Sequence, residues 1–270
     1  MSTVIDGDVV RITQHPGQGF FSCCTIHLQR ILDYFNQHHQ LPRKVDSSQQ
    51  FLFYKTPQNW NEDIKHEYFA EPTSDPLGQS IIYNDEPVKT TNLPQEEQYS
   101  DYRFLNYVPL APFLQRYFSP SLEIQELTDN IQSKYEIDCS HTCVLFYRGN
   151  DKATEVSLPS YEQYIEAAQR IQRLQPNIRF LVQSDETEFL DRMAATFPNN
   201  HVIFYDEIRH IPKSLTTVDK TFRYQNPVMS KLFVAITFLM SKCEYVICNS
   251  GNCSFWLVLF RGHCQQVVQF

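Results

Sequence analysis

Polar and apolar positions alternate most regularly in the second half of the chain. Residues 142–147 form an unbroken apolar run that gives way at once to Arg148, Gly149, Asn150, Asp151 and Lys152. This pattern predicts a buried strand opening into a polar loop. After Ser160, whose hydroxyl suits a helix cap, Tyr161, Tyr164, Ile165, Ala168 and Ile171 recur at helical spacing, with Glu162 in the first turn. The same grammar predicts strands over 178–183, 201–205, 245–248 and 266–270, and helices over 184–196, 229–241 and 254–260. Strands that alternate with helices imply a parallel sheet covered on both faces, a Rossmann-like domain.

The first half is less regular. A short strand over 9–13 runs into a His15-Pro16-Gly17-Gln18-Gly19 turn. A long helix follows, from about residue 21 to residue 39, with Leu28, Ile31, Leu32 and Phe35 on one face. Strand, glycine turn and helix again open an α/β unit. Residues 56–98 are rich in polar residues and proline and predict loops and short helices, a platform for an acceptor. A further helix is predicted over 122–135. The junction near 137–141 divides the chain into an N-terminal α/β domain, 1–138, and a C-terminal Rossmann-like domain, 139–270.

Charge narrows the function. The formal net charge of −8, without a basic stripe, argues against nucleic acid as a partner. No apolar stretch approaches the ~20 residues of a membrane span. The N-terminal residues lack the basic start and apolar core of a signal peptide. The expectation is therefore a cytoplasmic protein with no membrane span, its eight cysteines free thiols. The His and Cys spacings make no zinc site, and no Asp-x-Asp pattern suggests a metal held by a diphosphate. Neither a metal nor a cofactor is expected.

Ligands of open parallel sheets gather at the carboxyl ends of strands, where loops and helix N-termini present amides. Four polar clusters occupy such positions: residues 148–155, Ser184-Asp185-Glu186, residues 249–254, and Gly17-Gln18-Gly19. Each also has a purely structural reading. Arg148 can be a solvated strand-end residue, Ser250-Gly251-Asn252 and Ser184-Asp185-Glu186 plain helix caps, and Gly17 and Gly19 turn glycines. Their convergence on one sheet end, with one cluster from the opposing half, favours a shared cleft.

The stretch VLFYRGNDKATE, residues 144–155, resembles the strand-and-loop motif of α1,6-fucosyltransferases and their bacterial nodulation relatives. These belong to the wider GT-B group that includes protein O-fucosyltransferases. The resemblance continues through QSDETEFL, residues 183–190, and LMSKCEYVICNSGNCS, residues 239–254; residues 16–35 are similar to the glycine turn and first helix of the group's N-terminal domain. The resemblance implies an α/β, GT-B-like fold with two Rossmann-like domains facing a central cleft. It also implies an inverting, metal-independent glycosyltransferase that moves fucose from GDP-fucose to a glycan hydroxyl.

By the same resemblance, Arg148 neutralises the departing diphosphate and Glu155 is the general base. Asp151 and Lys152 hold the loop and the acceptor, and Ser250, Gly251 and Asn252 cradle the nucleotide phosphates. Gly17 and Gly19 allow backbone to approach the diphosphate, and Ser184 and Asp185 lie on the donor side. The chain departs from the motif at Gly149, where a second Arg is usual, and at Phe146, where a His is usual. The Asp expected to read guanine is replaced by Ile236, and Asp219, Asp206 and Glu207 are the candidates to take its place. Two other readings stay open: the same fold and mechanism with a UDP-sugar donor such as UDP-xylose, or a non-catalytic module that binds a sugar nucleotide or glycan.

Overall fold

A computed structural model describes residues 3–13, 18–71 and 86–270. Five parallel strands form the main sheet: β4 (Thr142–Tyr147), β5 (Arg179–Ser184), β6 (His201–Ile203), β7 (Tyr245–Cys248) and β8 (Val267–Gln269). Their order is β6-β5-β4-β7-β8. Every residue of β4 is buried, as expected of a central strand with helices on both faces. Strand order reverses between β4 and β7, so the crevice of this doubly wound sheet opens where those two strands end.

The connecting helices are α4 (Tyr161–Leu174), α5 (Thr187–Thr196), the single turn α6 (Val218–Thr221), α7 (Asn226–Ser241) and α8 (Asn252–Arg261). Helix α4 starts at a full capping box: Ser160 accepts from Gln163 N–H, and the Gln163 side chain accepts from Ser160 N–H. Helix α7 begins at Asn226, ahead of the residue 229 expected from the apolar pattern, because Pro227 fits a first helical turn that lacks intrahelical donors.

The first half holds a smaller three-stranded sheet, ordered β1 (Thr3–Asp6), β2 (Val9–Ile12) and β3 (Lys44–Asp46). Strands β1 and β2 form a hairpin around Gly7, whose φ of 60° favours glycine. Strand β2, helix α1 (Phe20–His38) and the parallel strand β3 make one βαβ unit. Among the described residues this unit is the extent of the Rossmann-like pattern expected in the first half. Short 3₁₀ turns follow through residue 104, in keeping with the loops expected over 56–98, of which 72–85 lie outside the described residues. Two further helices close the half, α2 (Tyr107–Tyr117) and α3 (Leu122–Lys134). Helix α2 has no counterpart in the apolar pattern, and it carries Pro112 in its interior.

The two halves share one apolar cluster. Helix α1 packs on α8 and α3 on α7. Trp256 of α8 is fully buried, with its ring 6.1 Å from Phe21 of α1 and 4.6 Å from Phe118. Its indole N–H donates to the Thr25 hydroxyl at 2.9 Å, so a buried polar atom is satisfied across the seam. Among the described residues, no helix is long and apolar enough to cross a membrane. All eight cysteines are free thiols.

Candidate functional site

A cavity of about 380 Å³ lies where β4, β5 and β7 end and where α1 begins. Its polar wall is the loop after β4. Arg148 is held there by its backbone: its N–H donates to Asn249 Oδ1 at 2.8 Å, and its carbonyl accepts from Asn249 Nδ2 at 2.9 Å. Asn249 follows β7, so this pair locks together the two loops at the strand-order reversal. Asp185, after β5, accepts from Gly149 N–H at 2.9 Å and its second oxygen lies 3.6 Å from Arg148 Nη2. Asp151 lies 3.3 Å from the same nitrogen. Burial opposes the Arg148 charge, but the fields of Asp185, Cys253, Asp151 and Asp219 outweigh it and hold the guanidinium firmly protonated.

Glu155 sits on the same loop, at the end of the 3₁₀ turn Asn150–Thr154. One of its oxygens accepts from Lys152 Nζ at 2.5 Å and from the Tyr99 hydroxyl at 2.6 Å. Partial burial acts against ionisation, but these two hydrogen bonds and the charges of Lys152 and Arg148 prevail and bring Glu155 below the usual carboxylate range. Asp151 moves the other way: burial outweighs the Arg148 charge and raises its pKa.

Glycines set the spacing of this wall. A Cβ at Gly149 would lie 2.3 Å from Glu186 Oε2 and 2.9 Å from the Tyr147 ring, so a side chain there would force its neighbours to shift. A Cβ at Gly251, whose φ is 151°, would lie 2.8 Å from Lys152 Cε.

Two helix N-termini face the cavity. Gly251 precedes α8 and Gly19 precedes α1; neither N-cap glycine can cap its helix with a side chain, and hydroxyls from elsewhere engage one amide at each end, Tyr54 accepting from Phe20 N–H at 2.7 Å and Tyr102 from Gly251 N–H at 3.3 Å. Gly19, Phe20, Phe21 and Ser22 line the cavity from one side and Gly251, Asn252 and Cys253 from the other. The remaining first-turn amides carry partial positive charge and suit an anion. Asn252 joins the two ends, accepting from Thr25 Oγ1 at 2.7 Å and donating to Ser22 Oγ at 3.0 Å.

Of the residues singled out in the sequence, Arg148, Asp151, Lys152, Glu155, Asp185, Gly19, Gly251 and Asn252 line this one cavity. Ser184 and Ser250 are not among the lining residues: Ser184 Oγ accepts from Glu186 N–H, and Ser250 Oγ donates to the Phe270 carbonyl. Gly17 lies outside the described residues. The three carboxylates considered for base recognition are all engaged. Asp219 accepts from Arg209 and Tyr54, Glu207 from Lys134 and Tyr135, and Asp206 from Lys134.

Several lining residues had no signal in the sequence. Tyr54 and Gln98 come from the irregular part of the first half, and Arg209 from the long connection after β6. In the sequence, Gln183 is the end of a strand and the start of the resembling stretch 183–190, not a site residue. Yet its Oε1 is buried without a hydrogen-bond partner and the residue lines the cavity; Asp185 Oδ2 likewise has no hydrogen bond, only the ion pair with Arg148. Unpaired buried acceptors of this kind call for a ligand or water. Among the described residues, no group of three or more His, Cys, Asp or Glu could hold a metal ion.

No protein-family model matches the chain, and no curated protein matches it. Solved structures similar to it include NodZ alpha-1,6-fucosyltransferase soaked with GDP-fucose, at 12% identity and a TM-score of 0.38, over 57% of this chain and 47% of that one. The apo form of POFUT1 is similar at 12% identity and a TM-score of 0.41, again over 57% of this chain and 47% of that one. The selenomethionine form of fucosyltransferase NodZ from Bradyrhizobium is similar at 13% identity and a TM-score of 0.44, over 88% of this chain and 86% of that one. The chain thus spans about half the length of the first two.

Proposed function

We propose that the chain is an inverting glycosyltransferase that moves a sugar from a nucleoside diphosphate to a hydroxyl of a glycan, and that the pair is GDP-fucose and fucose. One observation supports this above others: Arg148 and Glu155 line the same cavity as two helix N-termini. A diphosphate needs a fixed cation and oriented amides; an alcohol needs an ionised base within reach. The choice of fucose and guanine rests on the motif resemblance of residues 144–155 and 239–254.

In the transfer, the bond from the anomeric carbon to the β-phosphate oxygen breaks as the acceptor oxygen bonds to the opposite face of that carbon. The hydroxyl proton passes to Glu155, and the nucleoside diphosphate leaves with the bonding pair. Negative charge grows on the departing oxygen, where the Arg148 guanidinium and the amides of Asn252 and Cys253 stabilise it without reorganising. Glu155 is ionised at neutral pH, as a general base must be, and its second carboxylate oxygen forms neither of the bonds that hold the first. Lys152 and Tyr99 fix the carboxylate's position.

Thermal-shift titration with GDP and UDP side by side tests the reading. A ligand present at a hundred times its dissociation constant adds about 2.7 kcal/mol to stability. Stabilisation by GDP supports the proposed donor; stabilisation by UDP alone moves the donor to a UDP-sugar. Stabilisation by neither, with no sugar released from either donor class, rejects the transferase.

A further inference from the structure

We propose that Arg209 is a second guanidinium for the diphosphate, acting together with Arg148 in the same cavity; this rests on the nucleotide-sugar reading above. Four cationic residues line the cavity: Arg148, Lys152, Arg209 and Lys220. Lys152 is spent on Glu155, and Lys220 is an exposed side chain on a single helical turn. Arg148 already faces two carboxylates, Asp151 and Asp185. One guanidinium so neutralised is a poor match for a group with at least two negative charges. Position 149, beside Arg148, is a glycine and adds no second cation. Arg209 is the remaining candidate among the described residues.

Its setting suits the role. The side chain is 10% exposed and is held by three acceptors: Asp219 Oδ1 at 2.8 Å, Asn226 Oδ1 at 2.5 Å and the Phe222 carbonyl at 3.3 Å. These contacts occupy both hydrogens of Nη1 and one of Nη2. A guanidinium has five, so a hydrogen on Nη2 and the one on Nε are left for a ligand. Asp219 in turn accepts from the Tyr54 hydroxyl at 2.6 Å, and Tyr54 accepts from Phe20 N–H, the first amide of α1, at 2.7 Å. Arg209 is thereby tied to one of the two helix N-termini at the cavity. Asp219 also contributes to the field at Arg148, which puts both guanidinium groups in one electrostatic neighbourhood. A preorganised fork binds phosphate oxygens with little loss of freedom.

Binding of GDP and UDP, and of guanosine and uridine, to wild type, R209Q, R209K and D219N by calorimetric titration tests this. R209Q should weaken the diphosphate that wild type binds by about ten- to hundredfold, the range for a lost charge-assisted hydrogen bond, and leave nucleoside affinity unchanged. D219N removes the competing carboxylate while keeping its shape, and should tighten diphosphate binding about threefold or more. A purely structural Arg209–Asp219 pair predicts that both variants weaken binding, or that neither does; either result overturns the proposal. If R209Q does not fold, weaker binding by R209K with tighter binding by D219N sustains it, and any other pairing overturns it. Failure of wild type to bind either diphosphate sinks the parent reading instead.

Discussion

The Tyr99 hydroxyl donates to Glu155 at 2.6 Å, joining a residue of the irregular first half to the loop after β4. That bond favours the ionised carboxylate, as does Lys152 on the same oxygen. Tyr99→Phe removes one of the two donors, so the pKa of Glu155 should rise toward the ordinary carboxylate value. If Glu155 is the base, the acid limb of the kcat/KM profile moves to higher pH in Y99F while the plateau is largely kept. The same shift has a stability counterpart. A depressed folded-state pKa stabilises the fold above the unfolded-state value of about 4.3 and loses that stabilisation as pH falls through the folded value. Y99F should therefore lose less stability than wild type across that acid window. An acid limb that does not move in Y99F would separate Tyr99 from the titrating base.

Glu155→Gln keeps the shape of the side chain and removes its capacity to take a proton. Transfer should fall by about 10²–10⁴, the usual contribution of general-base catalysis, while donor affinity changes little. Single-turnover transfer and donor titration on the same preparation check both halves of this expectation. Near-normal turnover in E155Q would pass the role of base to another group. Asp151 is the nearest alternative on this loop, and its raised pKa means that it protonates earlier on acidification.

Arg148→Ala should weaken donor binding and slow turnover together, by about 10²–10³ in kcat if the guanidinium stabilises the leaving diphosphate. It also strips Asp185 of its cationic neighbour, and Asp185 is only 4% exposed. The apo protein should then melt lower than wild type at neutral pH, because a buried carboxylate is left without its cation. Differential scanning calorimetry reads this directly.

Gly149→Ala places a methyl group 2.3 Å from Glu186 Oε2 and 2.9 Å from the Tyr147 ring. Glu186 can shift only by giving up its contact with Asn150 N–H, and the ring is buried against Phe189 at 4.6 Å. The expected cost is about 1–3 kcal/mol, typical of overpacking, and is read by denaturant unfolding. Wild-type stability in G149A would show that this corner has slack.

How far the sequence could be read follows from where the information lies. The apolar run of β4, ended by Arg148, and the face of α4, opened by Ser160, are local patterns that survive without knowledge of their partners. The main sheet was legible for that reason. Helix α2 was not, because Pro109 and Pro112 read as breakers. Pro109 instead falls in the first turn, where its missing N–H costs nothing, and packing of Leu110 and Phe113 offsets the bond lost at Pro112. Strand β3 has three residues, too few for alternation to show. At the cavity, Arg148 and Glu155 stood out as charges clustered at a strand end. Tyr54, Tyr99 and Arg209 lie in segments with no periodicity and reach the cavity or its loop only through contacts distant in sequence, such as Tyr54 with Asp219.

Asn252 provides the last test, because its side chain bonds only to residues of the first half among the contacts described. It accepts from Thr25 Oγ1 at 2.7 Å and donates to Ser22 Oγ at 3.0 Å and Gln98 Oε1 at 2.8 Å. Thr25 is also the acceptor of the buried Trp256 indole. Asn252→Ala removes three hydrogen bonds and leaves a Gln98 oxygen short of a partner, while the Thr25 hydroxyl keeps the Phe21 carbonyl at 3.0 Å as its acceptor. At about 1 kcal/mol for each net bond, the loss should be about 2–3 kcal/mol, or a Tm lower by about 4–6 °C for a chain of this size. The seam it weakens is the one that sets the first turn of α1 against that of α8. Donor affinity should therefore fall in N252A, although no charge has been removed. A saturating nucleoside diphosphate, by binding both helix ends, should recover part of the lost Tm. An N252A protein that melts like wild type would show that apolar packing around Trp256 alone holds the two helix ends together.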